Sequence, residues 1–438
     1  MSFASSDAIL KVYLQYGSVS IDSRQIEAND VFFAIRGERF DGNRYVLSAL
    51  QQGACAAIVD DPEVAAQDER CLLVPDALVA LQELAHAYRH RFNIPVIGIT
   101  GSNGKTTTKE LVAAVLAERY KTHFTGGNFN NHIGVPLTLL RMPADTEIAV
   151  IEMGANAQGE IALLSAIADP DYGLITNIGK AHLEGFGGIE GVKKGKSELY
   201  RHLEKNGGTA FVNTGERFLE KLSEGVSKRL SYELVDDLQK EGIDYTCTLT
   251  SEKPFLRIAF LDPKGKRYEV TSQLFGRYNA NNILTAVALG LHFGVDADYI
   301  CHAIASYQPG NNRSQIVTKG TTTFLLDAYN ANPTSLENAL RYLAAIETEE
   351  RKVAIIGDML ELGDDSKHEH ASIARLAKTL PLDDVILVGE HFAQAAPDTG
   401  FTHFADVATL KKWFHQQDWS ASRILLKASR RLALEKLI

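Results

Sequence analysis

The 438-residue sequence lacks the features that mark several large classes of protein. Its only cysteines, Cys55, Cys71, Cys247 and Cys301, are too scattered to form a C-x-x-C pair or a disulfide framework. No stretch approaches the roughly 18 apolar residues of a membrane-spanning helix. The first residues show no secretory signal pattern. We therefore expect a cytoplasmic protein with no membrane insertion.

Positive charge is also scarce. The chain has 45 Lys and Arg against 55 Asp and Glu, a formal net charge of -10, and no basic run. It therefore lacks the electrostatic footprint of a protein that binds nucleic acid without regard to sequence. An anionic ligand must instead be captured by a local site.

The length and the pattern of apolar runs predict three α/β domains, since a domain typically has about 100 to 200 residues. We expect a small α/β module at residues 1–93 and a central domain at 94–308, with a mostly parallel sheet covered by helices. A Gly- and Asn-containing hinge at 309–312 leads into a third domain at 309–438. Its strand and helix pattern is Rossmann-like, although the G-x-G-x-x-G fingerprint is missing.

A glycine-rich loop is the strongest local signal, and it lies between a predicted strand at 96–100 and a predicted helix at 107–119. Such a loop directs backbone N–H groups and a helix dipole at a polyphosphate. Lys105 would reach the β and γ phosphates, and Thr106 would offer its hydroxyl to Mg²⁺. The glycine spacing is shorter than in the common P-loop, and an ordinary turn without ligand is the alternative. The predicted nucleotide-binding residues are Gly101, Ser102, Asn103, Gly104, Lys105, Thr106 and Thr107.

Three further side chains are candidates, each with a plainer alternative. Glu152 ends an apolar run, where a parallel sheet presents ligand-binding groups, but it could equally be a solvated acid. His182 follows another apolar run; a lone histidine is more often structural, and it gains weight only beside a partner such as Glu152. Lys196 lies in a lysine-rich helical stretch that by itself reads as a solvated face.

In their order along the chain, the motifs resemble the Mur ligase family, over nearly the whole length. The segments that carry the resemblance are DSR and FFAIRGERFDG in the first domain, TGSNGKTTTKE, GNFNNHIGVPLTLL, EMGANAQGEI, AHLEGFGGIEGV and GRYNANNILTAVAL in the second, and LDAYNANPTSLENAL, IIGDMLELGDDS and LLKASRRLALEKL in the third.

The resemblance implies an ATP-dependent ligase of peptidoglycan synthesis, in the branch that adds D-alanyl-D-alanine to UDP-N-acetylmuramoyl-tripeptide and so forms the pentapeptide precursor. The tripeptide carboxylate would attack the γ-phosphate, and the dipeptide amine would then attack the acyl phosphate. Phosphoryl transfer of this kind needs positioning and cations more than a protein nucleophile. The implied ligands are ATP, Mg²⁺ and these small substrates, and we expect a monomer.

The resemblance also implies roles for individual residues. Lys105, His182 and Lys196 would be catalytic. Thr106 would bind one Mg²⁺, and Glu152 and His182 would bind a second one that Lys196 supports. A lysine matching Lys196 is carbamoylated in the family, which turns a cation that would repel Mg²⁺ into an anion that attracts it. Lys193 and Lys194 are rivals for that modification. The implied adenosine contacts are Asn279, Asn282, Arg313 and Asp327, and the implied substrate contacts are Ser23, Arg24, the loop 37–43, Asn130 and Asn131.

The sequence departs from the common family pattern at three positions. Tyr278 stands where many relatives have His, Asn312 where Gly is usual before Arg313, and Ala428 where the closing motif has Gly. These departures leave the adenine contacts and the approach of the third domain open. Another Mur ligase, a folylpolyglutamate synthase-like ligase, or a P-loop switch are the alternatives. The segment 330–335 favours the dipeptide-adding branch. The D-N-P-R segment that the diaminopimelate-adding relatives usually carry is missing.

Overall fold

The chain forms three main β-sheets that follow one another along the sequence, together with a two-stranded ribbon in the first domain. The structure, a computed structural model, describes residues 3–310 and 312–438. The predicted hinge at 309–312 therefore contains one residue, Asn311, that lies outside the described residues. The prediction of an α/β fold with parallel-sheet domains is confirmed. The exact domain boundaries stay a prediction.

The first sheet has four parallel strands in the order β1-β2-β5-β6. Aspartates set the starts of two of its helices, because the side chains of Asp61 and Asp76 accept hydrogen bonds from the first free backbone N–H groups. The strands are β1 Val19–Ser20, β2 Val31–Phe33, β3 Arg36–Gly37, β4 Phe40–Asp41, β5 Ala56–Val59 and β6 Cys71–Leu73, and the helices are α1 Ser6–Tyr16, α2 Val46–Gln52, α3 Pro62–Ala65 and α4 Ala77–Arg89.

The central sheet has nine strands in the order β15-β14-β13-β12-β11-β10-β7-β9-β8. Strands β7 and β9 are buried along their whole length, as expected for parallel strands covered on both faces. The strands are β7 Val96–Thr100, β8 Thr122–Phe124, β9 Ile148–Glu152, β10 Tyr172–Ile175, β11 Thr209–Asn213, β12 Lys228–Leu234, β13 Tyr245–Ser251, β14 Arg257–Leu261 and β15 Arg267–Thr271. The helices are α5 Lys105–Ala117, α6 Gly134–Leu140, α7 Glu160–Ala168, α8 Leu183–Phe186, α9 Ile189–Lys196, α10 Glu198–Asn206, α11 Leu219–Leu222, α12 Ala280–His292 and α13 Ala297–Ser306.

The third sheet has six strands in the order β16-β17-β21-β18-β19-β20, parallel except for the β16-β17 pair. Its strands are β16 Gln315–Lys319, β17 Thr322–Leu326, β18 Arg351–Gly357, β19 Asp384–Val388, β20 Thr402–Phe404 and β21 Ser422–Lys427, and its helices are α14 Pro333–Ala345, α15 Ser366–Thr379, α16 Glu390–Ala393, α17 Ala396–Thr399 and α18 Val407–Phe414.

The third domain packs against the central one at both ends of helix α14. At its start, Asn332 Nδ2 donates a hydrogen bond of 2.7 Å to Asn103 Oδ1 in the glycine-rich loop. Further along, the Tyr342 ring stacks on Phe275 of the central domain, with 4.9 Å between the centroids. Within the described residues, no helix is long and apolar enough to cross a membrane.

Candidate active site

A large cavity lies between the central and third domains. Its volume is about 960 Å³, and its walls contain most of the site residues that the sequence predicts. The described wall residues come from 102–282 and from 313–427, so both domains are needed to form it. The carboxyl ends of β7 and β9 face it, which is where open parallel sheets bind ligands.

The glycine-rich loop joins β7 to α5 in a conformation that only glycine tolerates at two positions. Gly101 has a φ of 141°, and a Cβ there would lie 2.0 Å from Thr176 Oγ1. Gly104 has a φ of 82°, and a Cβ there would lie 2.6 Å from Asn282 Oδ1. Helix α5 begins directly after it, at Lys105 rather than at the predicted Thr107. No side chain caps its first N–H groups, which suits a phosphate.

Lys105 folds back over this loop. Its Nζ donates hydrogen bonds to the carbonyl oxygens of Gly101, at 2.7 Å, and Ser102, at 3.2 Å. Burial lowers the pKa of Lys105 to about 8, against the opposing attraction of Glu152. The ammonium therefore lies against the glycine-rich loop, and its contact with phosphates stays a prediction.

Glu152, at the end of β9, is buried and only partly satisfied. Its Oε1 accepts hydrogen bonds from Thr106 Oγ1, at 3.1 Å, and from Asn130 Nδ2, at 2.7 Å. Its Oε2 is buried without a hydrogen-bond partner in the described part of the chain. A buried carboxylate oxygen with a free lone pair, next to a threonine hydroxyl, is a suitable ligand pair for a hard cation such as Mg²⁺.

A second buried lysine, which sequence analysis did not single out, lies behind Glu152. Lys109 is 0% exposed, and its Nζ lies 3.9 Å from Glu152 Oε2 and 3.7 Å from Glu110 Oε1. Burial lowers its pKa. Its position four residues after Lys105, one helical turn along α5, is the sequence signal that could have found it.

His182 lines the same cavity as Glu152, although its nearest ionisable partner is in the third domain. Its Nδ1 lies 2.5 Å from Glu361 Oε2, outside the geometry of a regular hydrogen bond. Proximity to His182 lowers the pKa of the Glu361 carboxyl. In the described residues, no three His, Cys, Asp or Glu side chains form a group that could hold a metal. Of the four predicted metal ligands, only Glu152 and His182 are residues of these types. The other two are Thr106 and Lys196.

Lys196 is the last residue of α9 and is 1% exposed. Its Nζ donates a hydrogen bond of 3.1 Å to the carbonyl oxygen of Ala155, which lines the cavity, and it lies 5.0 Å from the centre of the Phe186 ring. The ion pairs found among the described residues do not include it. Burial, followed by repulsion from Lys105, lowers the pKa of Lys196 well below its usual range.

The two rival lysines have different surroundings. Lys193 pairs with Glu190 at 2.6 Å, and its Nζ lies 3.9 Å from the centre of the Phe218 ring. Lys194 is exposed. Lys196 is therefore the lysine of this run that is buried and forms no ion pair among the described residues, although Glu160 and Glu198 attract it from a greater distance.

Asn279 and Asn282, at the start of α12, line the cavity but use much of their hydrogen-bonding capacity within the protein. Asn282 donates to Asn279 Oδ1 at 2.8 Å and accepts from Thr108 Oγ1 at 3.0 Å. Asn279 donates to Ser314 Oγ, across the domain junction, at 3.0 Å. These hydrogen bonds connect the start of α12 to helix α5 after the phosphate loop and to the third domain. The contacts of Asn279 and Asn282 with adenosine stay a prediction.

Arg313 and Asp327 enter the cavity from the third domain, as their predicted role requires. The Arg313 guanidinium lies 3.6 Å from the centre of the Tyr329 ring, and its Nε is buried without a partner in the described structure. Asp327 Oδ2 lies 2.5 Å from Nζ of Lys427, which is 2% exposed. Lys427 lies in the closing motif at the carboxyl end of strand β21, and this position is the sequence feature that could have identified it.

The predicted substrate contacts divide into two groups. Asn130 and Asn131 line the cavity, and Asn131 Oδ1 accepts from the N–H of Gly134 at the start of α6. Ser23 and Arg24 lie in the first domain, outside the cavity wall. Arg24 forms a 2.8 Å ion pair with Asp22, which lowers the pKa of that carboxyl to about 2.

The combination of a strained phosphate loop, a buried carboxylate and threonine pair, and a second α/β domain closing the cavity defines an enzyme that uses a nucleoside triphosphate. Family models match all three parts of the chain: "Mur ligase family, catalytic domain" at 15–89, "Mur ligase middle domain" at 99–290 and "Mur ligase, glutamate ligase domain" at 312–430. The chain belongs to the Mur ligase family. It is an ATP-dependent ligase.

Individual relatives agree over almost the whole chain. The UDP-N-acetylmuramoyl-tripeptide--D-alanyl-D-alanine ligase of Bacillus subtilis is 35% identical over 437 residues, which covers 96% of this chain and 92% of the relative. A crystal structure of MurF from Acinetobacter baumannii has a TM-score of 0.86 at 34% identity, covering 96% of this chain and 92% of that one. The structure of MurF ligase from Thermotoga maritima in complex with ADP has a TM-score of 0.84 at 27% identity, covering 97% and 96%.

Proposed function

We propose that this ligase joins D-alanyl-D-alanine to UDP-N-acetylmuramoyl-tripeptide with ATP and forms the pentapeptide precursor of peptidoglycan. The observation that carries the proposal is the likeness to the Bacillus subtilis tripeptide ligase, at 35% identity over nearly the full length. The cavity at the phosphate loop supports the proposal, since it is large enough for a nucleotide and the end of a peptide together.

ATP lies with its phosphates on the loop in this proposal. The backbone N–H groups at the start of α5 and the Lys105 ammonium hold the β and γ phosphates. Arg313 and Asp327 reach the nucleoside from the third domain, and Asn279 and Asn282 form the wall of the central domain beside it. The nucleotide is therefore held between two domains, and its γ-phosphate faces Glu152.

Mg²⁺, when bound, screens the charge of the phosphates while the γ-phosphoryl group moves to the tripeptide carboxylate. Thr106 is proposed to hold one Mg²⁺, and Glu152 and His182 a second one, because the three side chains line one cavity and Glu152 Oε2 has no hydrogen-bond partner among the described residues. The protein also has to keep water out until the dipeptide amine attacks the acyl phosphate. Closure of the cavity by the third domain serves that purpose.

Lys196 is proposed to carry a carbamate. Carbamoylation needs a neutral amine, and burial lowers the pKa of Lys196 in the direction that supplies one. The ammonium first loses one proton to give the neutral amine, and the joining of its nitrogen to CO₂ then releases a second proton, so a buried cation becomes an anion. An anion there would support a cation held by the adjacent cavity wall and would no longer repel Lys105.

Asn130 and Asn131 are proposed to contact the tripeptide, and Ser23, Arg24 and the loop 37–43 the uridine end of the same substrate. We place the enzyme in the cytoplasm, where its four free cysteines would stay reduced. It acts as a monomer in this proposal, because a single chain supplies the cavity walls.

The test is a single incubation of the pure protein with ATP, Mg²⁺, UDP-N-acetylmuramoyl-tripeptide and D-alanyl-D-alanine. Mass spectrometry should detect the UDP-linked pentapeptide, with one phosphate released per bond. Leaving out the dipeptide or the tripeptide should suppress phosphate release. Rapid ATP hydrolysis with neither substrate present would contradict the proposal and favour a stand-alone nucleotidase.

A further inference from the structure

The loop that carries His182 is held by the third domain at two side-chain contacts. Glu361, in the loop after β18, lies 2.5 Å from His182 Nδ1 through its Oε2. Lys180 Nζ lies 2.5 Å from Oε1 of Glu369, on α15. The backbone N–H of Glu184 also donates to the carbonyl oxygen of Glu361 at 3.4 Å. These contacts join a predicted catalytic loop to a segment to which sequence analysis gave no role.

Both partners of the first contact have an unusual backbone conformation. His182 has a φ of 53° and Glu361 a φ of 64°, and neither is glycine. L-residues adopt this left-handed region rarely and at a cost of roughly 1 kcal/mol or more. Such conformations persist where surrounding contacts impose them, and they concentrate at functional sites. The two strained residues face each other across the domain junction.

The position of Glu361 has a consequence for the imidazole. A carboxylate beside Nδ1 favours the tautomer with its proton on Nδ1, which leaves the Nε2 lone pair free. Histidines that bind metals are commonly oriented in this way, by a carboxylate at the other ring nitrogen. Here that carboxylate comes from a different domain than the histidine.

We propose that Glu361 is a positioning residue, which fixes the tautomer and orientation of His182 for cation binding only while the third domain is docked. This inference rests on the proposed role of His182 as a cation ligand. It couples domain docking to assembly of the cation site, because a third domain that moves away withdraws the carboxylate. The enzyme then binds its second cation tightly only in the arrangement that also closes the cavity over ATP.

The first measurement is the tautomer of His182 in the protein without metal or nucleotide. Long-range ¹H–¹⁵N NMR on histidine-labelled protein distinguishes Nδ1–H from Nε2–H, and the His182→Gln variant assigns the signal. We expect the Nδ1–H tautomer in the wild type and a mixture with Nε2–H in the Glu361→Gln variant. The Glu361 side chain is 55% exposed, so the substitution leaves the buried core of the third domain intact.

The second measurement is binding of Mn²⁺, followed by electron paramagnetic resonance, to enzyme carrying a non-hydrolysable ATP analogue. Loss of an orienting carboxylate should weaken the second Mn²⁺ site about 10- to 100-fold. Glu369→Gln is the matched control, because it breaks the neighbouring interdomain ion pair without touching His182. The control should change Mn²⁺ binding less than threefold.

Three results would overturn the proposal: an Nε2–H tautomer in the wild type, unchanged tautomer and Mn²⁺ affinity in Glu361→Gln, or an equal loss in Glu369→Gln. The last would mean that general loosening of the interface accounts for the effect. Pentapeptide formation by the wild type is measured separately. If no pentapeptide forms, the proposed substrates are wrong. The role of Glu361 is decided separately, by the tautomer measurement and the Mn²⁺ titrations.

Discussion

Lys105 is the residue whose ionisation we expect to show in the kinetics. Its pKa of about 8 is lowered by burial, so the free enzyme loses this cation as the pH rises through about 8. A phosphate ligand needs the protonated form. We therefore predict that kcat/KM for ATP is constant below about pH 7.5 and falls above it, because kcat/KM reports the pKa values of the free enzyme.

The Lys105→Ala variant tests whether this group causes the effect. Loss of a cation that stabilises the charge of the transferred phosphoryl group costs on the order of a 10³-fold or larger reduction in rate. The residual activity should no longer fall across the same pH range. A variant with wild-type turnover would contradict the assignment and would make the loop a structural turn.

Lys196 leads to a second prediction about a single residue. We expect Lys196→Ala to lose most ligase activity and to recover part of it when a short carboxylic acid such as acetate is added. The acid would occupy the space of the missing side chain and supply the anion that the carbamate provides. Ligation rates at increasing acetate concentration measure the recovery.

The control for this rescue is Lys194→Ala, because Lys194 is in the same helix but exposed. It should keep its activity and show no response to acetate. ¹³C NMR of the active enzyme in ¹³C-labelled bicarbonate should show one carbamate signal, absent from Lys196→Ala. An unmodified Lys196 in metal-bound, active enzyme would rule the carbamate out.

The helices and strands of the phosphate-binding half were predictable from the sequence, because the apolar runs of β7 and β9 end directly at the polar site residues. Errors occurred where local chemistry overrides periodicity. The sequence pattern predicts a helix near 335–348, but helix α14 begins at Pro333, since Asn332 caps it and proline suits its first turn. The antiparallel strands β13, β14 and β15 were missed, because their alternating polar faces resemble exposed loops.

Glu361 and Lys109 illustrate why site residues are harder to predict than elements. Lys109 occupies a helical position, and its burial depends on strand β8 and the loop after it, which no periodicity reveals. The role of Glu361 depends on how the third domain docks onto a loop about 180 residues away in sequence. The sequence contains both residues, but only the tertiary arrangement brings them to the site.

Helices α15 and α16 contribute a histidine pair, His370 and His391, that should respond to acid. His370 is 0% exposed; its Nε2 accepts from the N–H of Met359 at 3.0 Å, and its Nδ1 donates to the carbonyl oxygen of Ser366 at 2.7 Å. Burial lowers its pKa, and His391 adds to that, against the attraction of Asp358. A second proton on Nε2 would point at the Met359 N–H, so the folded protein disfavours the charged form.

We therefore predict that stability falls as the pH drops below about 6.5, the ordinary pKa of histidine in the unfolded chain. The sign follows from proton binding: the unfolded state takes up more protons there than the folded state, which shifts the equilibrium toward unfolding. Apparent Tm measured from pH 7.5 to 5.5 should decline more steeply in the wild type than in His370→Gln. Equal slopes would mean that other histidines cause the acid sensitivity.

The whole molecule depends on helix α14 to join its two catalytic domains. Asn332 at its start binds the phosphate loop, and Tyr342, ten residues later, stacks on Phe275, about 15 Å away along the helix. The helix thus attaches the third domain at two separated points. Together with the contacts of Lys180 and Asn279 to the third domain, this arrangement helps to set the orientation of Arg313 and Asp327 toward the cavity.

The last prediction concerns the balance between docked and undocked arrangements. Tyr342→Ala removes an aromatic stack worth about 1 kcal/mol and so lowers the docking equilibrium constant about fivefold, and with it a docked population that is already small. Apparent affinity for an ATP analogue should fall by the same factor, because only the docked form offers both walls of the site. Small-angle scattering should show a larger radius of gyration.

The matched control is Tyr268→Ala, since Tyr268 stacks on Phe260 within the central sheet and should change stability without changing nucleotide affinity. Unchanged affinity and unchanged scattering in Tyr342→Ala would mean that this stack does not govern docking, and that the other contacts between the domains, such as the Asn332–Asn103 hydrogen bond and the Lys180–Glu369 ion pair, hold them together.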